Sequence, residues 1–322
     1  MTRVLVTGAS GFIGKNCLEA LRACNIEVHA TARHTPDLRR DFSFWHPCDL
    51  FDRQSVSALI QAVRPTHLLH LAWIATPGVY WNSQLNETWR EASCHVAETF
   101  VSSGGKRIVV TGTCAEYDWD KGVCVEHEIH PNPSNPYAHA KLALLQELTE
   151  LTRTAGISLA WPRLFWTYGP YEPRSRLIPS IILSLLQDEP AICSTGSHQR
   201  DFIHVRDVAR AIASLVCTSI AGPINVASGV ATSVASIART IAASMNKSHL
   251  LQLGALLPDR PESPLVVADV GRLENEVGFR PRISLEAGIR ETIEWWTEQM
   301  GHENGSSAAW PLRPRPQGAS IA

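Results

Sequence analysis

Methionine and tyrosine are scarce in this 322-residue chain, three and five in number, and neither sign of charge prevails, with 29 Lys and Arg against 31 Asp and Glu. Without a basic excess no nucleic-acid surface is expected, because a phosphate backbone demands clustered Lys and Arg. Long apolar runs are missing too. The nearest approach to a membrane span, residues 177–186, is interrupted by Pro179 and Ser184. The eight cysteines, at 17, 24, 48, 94, 114, 124, 193 and 217, make no C-x-x-C pair and no zinc-ligand spacing. Reduced thiols and no metal are therefore expected. Met1-Thr2-Arg3-Val4 enters a strand-like run at once with no signal-peptide pattern, so a cytoplasmic protein is expected. Internal repeats are absent. With 44% apolar and 19% charged residues, what is left is an ordinary globular chain with ample material for a core.

The pattern that fills this frame is alternation. Short β-branched runs at 3–7, 27–31, 67–71, 107–111 and 157–162 are separated by helical periodicity at 12–23, 52–63, 81–102 and 136–155. Strands alternating with helices imply an α/β fold: a doubly wound, Rossmann-type parallel sheet with right-handed crossovers. From about Tyr168 the rhythm loosens and prolines accumulate, as in a smaller, mixed C-terminal substrate-binding domain. The expected division is 1–167 for the dinucleotide domain and 168–300 for the substrate domain with some chain crossing back. Residues 301–322, rich in Gly, Ser and Pro, are expected to be a flexible tail.

The first strand runs into Thr7-Gly8-Ala9-Ser10-Gly11-Phe12-Ile13-Gly14. In this context Gly8 permits a tight turn, Gly11 lets the backbone approach a pyrophosphate, and Gly14 allows close helix–strand packing. The segment Gly11-Phe12-Ile13-Gly14 then opens a helix whose amides and dipole suit phosphate. A P-loop does not fit: Ala9 stands where its first Gly belongs, and Asn16 replaces the magnesium-binding Ser or Thr. At the end of the second strand, Thr31-Ala32-Arg33-His34 offers Arg33 and no carboxylate. An acid there would hold the ribose of NAD, whereas Arg accommodates the 2′-phosphate of NADP; NADP is the expected cofactor and NAD the alternative. Asp49-Leu50, after the third strand, is the candidate adenine contact, with a helix N-cap as the competing role for Asp49.

Two Tyr-x-x-x-Lys pairs exist, Tyr117/Lys121 and Tyr137/Lys141. At that spacing a Lys ammonium on the same helical face lowers a phenol's pKa and can hold a ribose. Tyr117 lies in turn-like Tyr-Asp-Trp-Asp-Lys-Gly, whereas Tyr137 follows Asn135-Pro136, a good N-cap and N1 pair. Tyr137 is therefore the candidate acid and Lys141 its partner. Trp73, Tyr80, Trp81 and Trp166 are candidates for a sugar-pocket lining, although large aromatics serve cores more often.

The order Thr-Gly-x-x-Gly-x-x-Gly, a Thr after a central strand, then Tyr-x-x-x-Lys resembles the extended short-chain dehydrogenase/reductases over roughly residues 3–298. Further matching blocks are His70-Leu71-Ala72, Arg163-Leu164-Phe165, Tyr168-Gly169-Pro170, Arg200-Asp201-Phe202-Ile203-His204-Val205 and Asn225-Val226-Ala227-Ser228-Gly229. These later blocks are typical of members acting on nucleotide sugars. The resemblance implies that Leu71 and Ala72 touch the cofactor. Thr113 would be catalytic beside Tyr137, and Arg200 and Arg260 would contact a substrate diphosphate. It also implies a homodimer. The 4,6-dehydratases of this family carry Asp-Glu directly after the catalytic Thr, where this chain has Cys114-Ala115; Glu116 is one position out of step. The epimerase-reductases place Cys at the position of Ala115 and His at that of Tyr171. Two reactions need only Thr, Tyr and Lys: NADPH-dependent reduction of a nucleotide-linked 4-keto-6-deoxyhexose, and NAD-dependent 4-epimerisation. Reduction is expected from Arg33. A sensor that binds dinucleotide without chemistry, and a reductase of plant-type phenolic ketones suggested by Val28–Arg33, are weaker readings.

Overall fold

The computed structural model describes residues 2–34, 44–128, 133–257 and 263–305. A large sheet is built from β1 (Arg3–Thr7), β2 (Glu27–Ala32), β3 (Trp45–Pro47), β4 (His67–His70) and β5 (Arg107–Val110), continued by the two-residue β6 (Gly112–Thr113). Val123–Cys124 is β7. The strands β8 (Ser158–Leu164), β9 (Trp166–Tyr168), β10 (Ala191–Cys193), β11 (Gln199–His204) and β12 (Gly222–Val226) follow. The last three are β13 (Ala231–Ser233), β14 (Leu251–Leu253) and β15 (Leu265–Ala268). In the large sheet the order is β3-β2-β1-β4-β5-β8-β12, with β6 on β8, and every pair is parallel. The order reverses between β1 and β4. A crevice therefore opens at their carboxyl ends, where open α/β sheets bind ligands.

Helices α1 (Phe12–Arg22), α2 (Arg53–Val63), α3 (Leu85–Ser102) and α4 (Pro136–Ala155) connect the first strands. They are followed by α5 (Leu177–Leu186), α6 (Val205–Cys217), α7 (Val234–Ser244), α8 (Gly271–Asn275) and α9 (Leu285–Gly305). One face of the sheet is sealed by α1 and α6 through Cys17, Leu18, Leu21, Val208, Ile212 and Leu215. The other is sealed by α2, α3 and α4 through Val56, Ile60, Val96, Phe100, Leu144 and Leu148. Each face thus buries the apolar stripe its helices present.

The expected helix at 81–102 is broken. Tyr80–Asn82 form a one-turn 3-10 helix, and α3 starts only at Leu85. Ser83 ends the short turn and Asn86 ties it down, its Nδ2 donating to the carbonyls of Tyr80 and Ser83 at 2.6 and 3.0 Å. The second sheet, β13-β11-β15-β7 with β9 on β11, is mixed, since β13 runs antiparallel to β11. The chain crosses in both directions: β7 lies in the small sheet, whereas α6 and β12 return to the large one. The helix α9 continues to Gly305, five residues into the segment expected to be a tail. No helix among the described residues is long and apolar enough to cross a membrane, and none of their His, Cys, Asp and Glu side chains cluster as metal ligands.

Candidate active site

A cleft of about 400 Å³ opens at the crevice between β1 and β4. It gathers Gly8, Gly11, Phe12, Ile13, Gly14, Arg33, Asp49, Leu50, Leu71, Ala72, Thr113, Tyr137 and Lys141. Its floor is fixed by the ends of the two strands. Thr7 Oγ1 pairs with His70 Nδ1 at 2.8 Å and accepts from the Ala72 amide at 3.4 Å; the other ring nitrogen of His70 meets Ser93 Oγ at 2.9 Å. Burial, and secondarily the Lys141 charge, lowers His70 to about 3, so it remains a neutral strut near neutral pH.

The glycine turn is cut to fit something narrow. Gly8 has φ +66° and stands so close to β4 that a Cβ would lie 2.7 Å from the Ala72 amide nitrogen. At Gly14 a Cβ would lie 2.2 Å from the Gly8 carbonyl oxygen and 2.7 Å from Ala9 Cα. Gly11 caps α1 without a side chain, which leaves the first-turn amides for an anion. Asp49 does not cap α2. That role belongs to Asp52, whose carboxylate accepts from the Gln54 amide at 3.0 Å. Asp49 instead accepts from Phe51 N at 3.0 Å and lines the cleft.

At the opposite end, α4 starts as the sequence demands: Asn135 Oδ1 accepts from Ala138 N at 3.0 Å and Pro136 occupies the first turn. Tyr137, the second residue of α4, lies beside Thr113. Burial pushes the Tyr137 phenol up, the neighbouring Tyr80 adds to this, and Thr113 draws it back. Lys141 does not turn to the phenol, as the spacing suggested. Its Nζ donates to the Thr111 carbonyl at 2.9 Å and lies 3.9 Å above the Trp73 ring. Burial lowers Lys141 to about 7 against the pull of the Glu116 carboxylate.

Aromatic rings enclose Tyr137. Tyr80, Trp81 and Trp73 have ring centroids 4.9, 5.7 and 6.4 Å away, all edge to face. Trp81 continues to Trp119 at 6.2 Å and Trp119 to Trp166 at 5.5 Å. Trp119 and Arg176, both lining the cleft, escaped sequence reading, because neither lies in a periodic or motif-bearing segment. The second Tyr-x-x-x-Lys pair is structural: Tyr117 donates to Asn225 Oδ1 at 2.6 Å and accepts from Arg163 at 2.9 Å.

Glu116 is withdrawn from the cleft into the core. Its carboxylate accepts from Thr113 N at 2.8 Å, Trp161 Nε1 at 3.0 Å and Arg163 Nε at 2.7 Å. This is a capping box with Thr113, and the signal was legible as Thr-x-x-Glu. Of the two arginines expected at a diphosphate, Arg200 is fully buried and does not line the cleft. It bonds the Gln199 and Ser263 carbonyls at 2.9 and 2.8 Å and stacks behind Trp166 and Trp119 at 5.1 and 5.9 Å. Arg260 lies outside the described residues.

The family model described as "NAD dependent epimerase/dehydratase family" matches residues 4–227. The chain belongs to that family. A probable dTDP-glucose 4,6-dehydratase of Sinorhizobium fredii is 28% identical to this epimerase/dehydratase-family chain over 328 residues, covering 92% of it and 93% of the relative. Among solved structures, MoeE5 in complex with UDP-glucose and NAD is 29% identical with a TM-score of 0.80, covering 92% of this chain and 99% of that one. A UDP-glucose 4-epimerase of Thermotoga maritima shares the fold at TM-score 0.80 and 20% identity, over 93% of this chain and all of that one. The protein is thus an enzyme of a nucleotide-sugar-modifying, NAD-dependent family. Its residues fit a dinucleotide: the glycine turn leaves space that any Cβ would fill, and α1 presents uncapped amides there.

Proposed function

We propose that the protein reduces a nucleotide-linked 4-keto-6-deoxyhexose to the 6-deoxyhexose at the expense of NADPH. One observation carries this reading: among the described residues lining the cleft the single carboxylate is Asp49, at the end away from Tyr137. Elimination of water across C5 and C6 needs an acid and a base beside the sugar. Cys114 and Ala115 supply neither, and Glu116 is held by Arg163 and Trp161. What remains is carbonyl chemistry at one carbon. Bound NADPH supplies the hydride. Thr113 and Tyr137 hold the carbonyl oxygen by hydrogen bonds and polarise it, and Tyr137 delivers its phenolic proton to that oxygen. Lys141 would hold the nicotinamide ribose. Trp73, Tyr80 and Trp81 keep water from the reacting carbon. Arg33, with Thr31 and Ala32 on the same wall, receives the 2′-phosphate. Arg200 and Arg260 are proposed to serve the substrate diphosphate. A homodimer is proposed for the working enzyme.

NAD-dependent 4-epimerisation uses the same three residues, and the NAD in the MoeE5 complex favours it. Both are tested by following nicotinamide absorbance with dTDP-, GDP- and CDP-linked 4-keto-6-deoxyhexoses, each with NADPH and with NADH. Rapid oxidation of NADPH with one sugar is the expected result. No oxidation with any of them, together with interconversion of unoxidised nucleotide sugars, overturns reduction in favour of epimerisation.

A further inference from the structure

Two cysteines that the sequence keeps far apart meet at the end of the cofactor helix. Cys24 follows the C-terminal end of α1, and Cys217 is the last residue of α6, the helix packed beside it. Their thiols stand close enough for Cys24 to act on Cys217. Cys217 is exposed and Cys24 partly so, whereas five of the remaining six cysteines are buried. The pair is held from both sides. Cys24 N donates to the Leu21 carbonyl at 3.0 Å and its Sγ to that of Ala20 at 3.6 Å. Arg107 grips the end of α6 through the Leu215 and Ile220 carbonyls at 2.9 and 2.8 Å. Burial and the Cys24 thiol push Cys217 up to about 11, opposed by the Arg107 charge, so the resting Cys217 is a neutral thiol.

We propose that Cys24 and Cys217 form a reversible disulfide site, oxidised by a hydroperoxide, that ties the C-terminal ends of α1 and α6 together. In the first step the Cys217 sulfur, as it gives up its proton, attacks one peroxide oxygen. An S–O bond forms as the O–O bond breaks, and the departing hydroxide takes that proton and leaves as water. In the second, the Cys24 sulfur attacks the Cys217 sulfenic acid; S–S forms, S–O breaks, and a second water leaves with the Cys24 proton. The two thiols lose two electrons and two protons, and one hydrogen peroxide becomes two waters. The new bond closes a very long loop, so its main effect falls on the unfolded chain and on thermal stability.

The test treats the full-length reduced protein with equimolar hydrogen peroxide, blocks free thiols with iodoacetamide, and reads intact mass, peptide map and melting temperature. The expected product has no disulfide between chains, carries two fewer carbamidomethyl groups than the equally treated reduced protein, contains a Cys24–Cys217 cross-linked peptide, melts several degrees higher and reverts with dithiothreitol. Cys24→Ser and Cys217→Ser, each melting like the reduced wild type, lose the cross-link and the upward shift. Oxygen adducts on Cys217 without a cross-link, a disulfide between two molecules, or no loss of thiols at all would each overturn the assignment.

Discussion

Replacing Glu116 by Gln removes one charge from a pair that has no solvent on either side. The Glu116 and Arg163 side chains are both 0% exposed and meet at 2.7 Å. The carboxylate also accepts from Trp161 Nε1 and Thr113 N, so all of its neighbours are donors. An amide keeps one acceptor, but its own N–H group then faces another donor. Arg163 retains the Tyr117 hydroxyl, which carries no opposing charge. Breaking a buried pair in this way costs about 3–5 kcal/mol. Unfolding entropy near 2.1 cal/mol/K per residue, over 322 residues, converts this to a fall in melting temperature of roughly 4–7 °C. Thermal melts of Glu116→Gln, followed by circular dichroism, read this directly, with nicotinamide oxidation measured well below the transition. A variant that melts with the wild type yet has lost all turnover would contradict a purely structural role for Glu116. Glu116 would then be a proton-transfer carboxylate reaching the sugar, and the case against elimination would fall with it.

Arg33→Ala is expected to weaken NADPH binding roughly tenfold to a hundredfold, the worth of a charged hydrogen bond, with NADH unchanged; nucleotide fluorescence titration checks it, and equal weakening removes the 2′-phosphate role. Gly14→Ala forces a Cβ to within 2.2 Å of the Gly8 carbonyl, where only backbone can yield. Loss of dinucleotide binding by calorimetry and a destabilisation of about 1–3 kcal/mol are expected, and wild-type affinity would contradict the close packing. Burial lowers Lys141 to about 7 from an unfolded 10.5, so the native state binds fewer protons between those values. Its contribution therefore makes stability rise with pH above about 7. The difference in denaturation midpoint between wild type and Lys141→Met should shift in favour of the wild type from pH 7 to 9; no change with pH contradicts the burial effect.

The dinucleotide end of the site was legible because its determinants are local. A turn that needs Gly8 and Gly14, a strand that ends in Arg33 and an Asn135-Pro136 helix start are each written in a few consecutive residues. That Thr113, Tyr137 and Lys141 line one cleft was legible through spacing and order. The aromatic wall was only partly so: Trp119 reaches Trp81 and Trp166 through a one-turn helix that no periodicity announces. Arg200 shows the reverse difficulty. The resemblance implies a diphosphate contact for it, but only packing reveals that its guanidinium is buried against the Trp119 and Trp166 rings. The Lys141 orientation was likewise beyond spacing, because the Thr111 carbonyl and the Trp73 face compete for its ammonium.

The most direct measurement of the reductase reading is the fate of deuterium carried at C4 of NADPH in turnover of the active nucleotide 4-keto sugar. One deuterium at C4 of the product sugar, with one NADP formed per sugar and both lost in Tyr137→Phe without loss of NADPH binding, is the expected result. No label at C4 and no change in the added nicotinamide, with a 4-hydroxy nucleotide sugar given to the same enzyme inverted at C4, would contradict it.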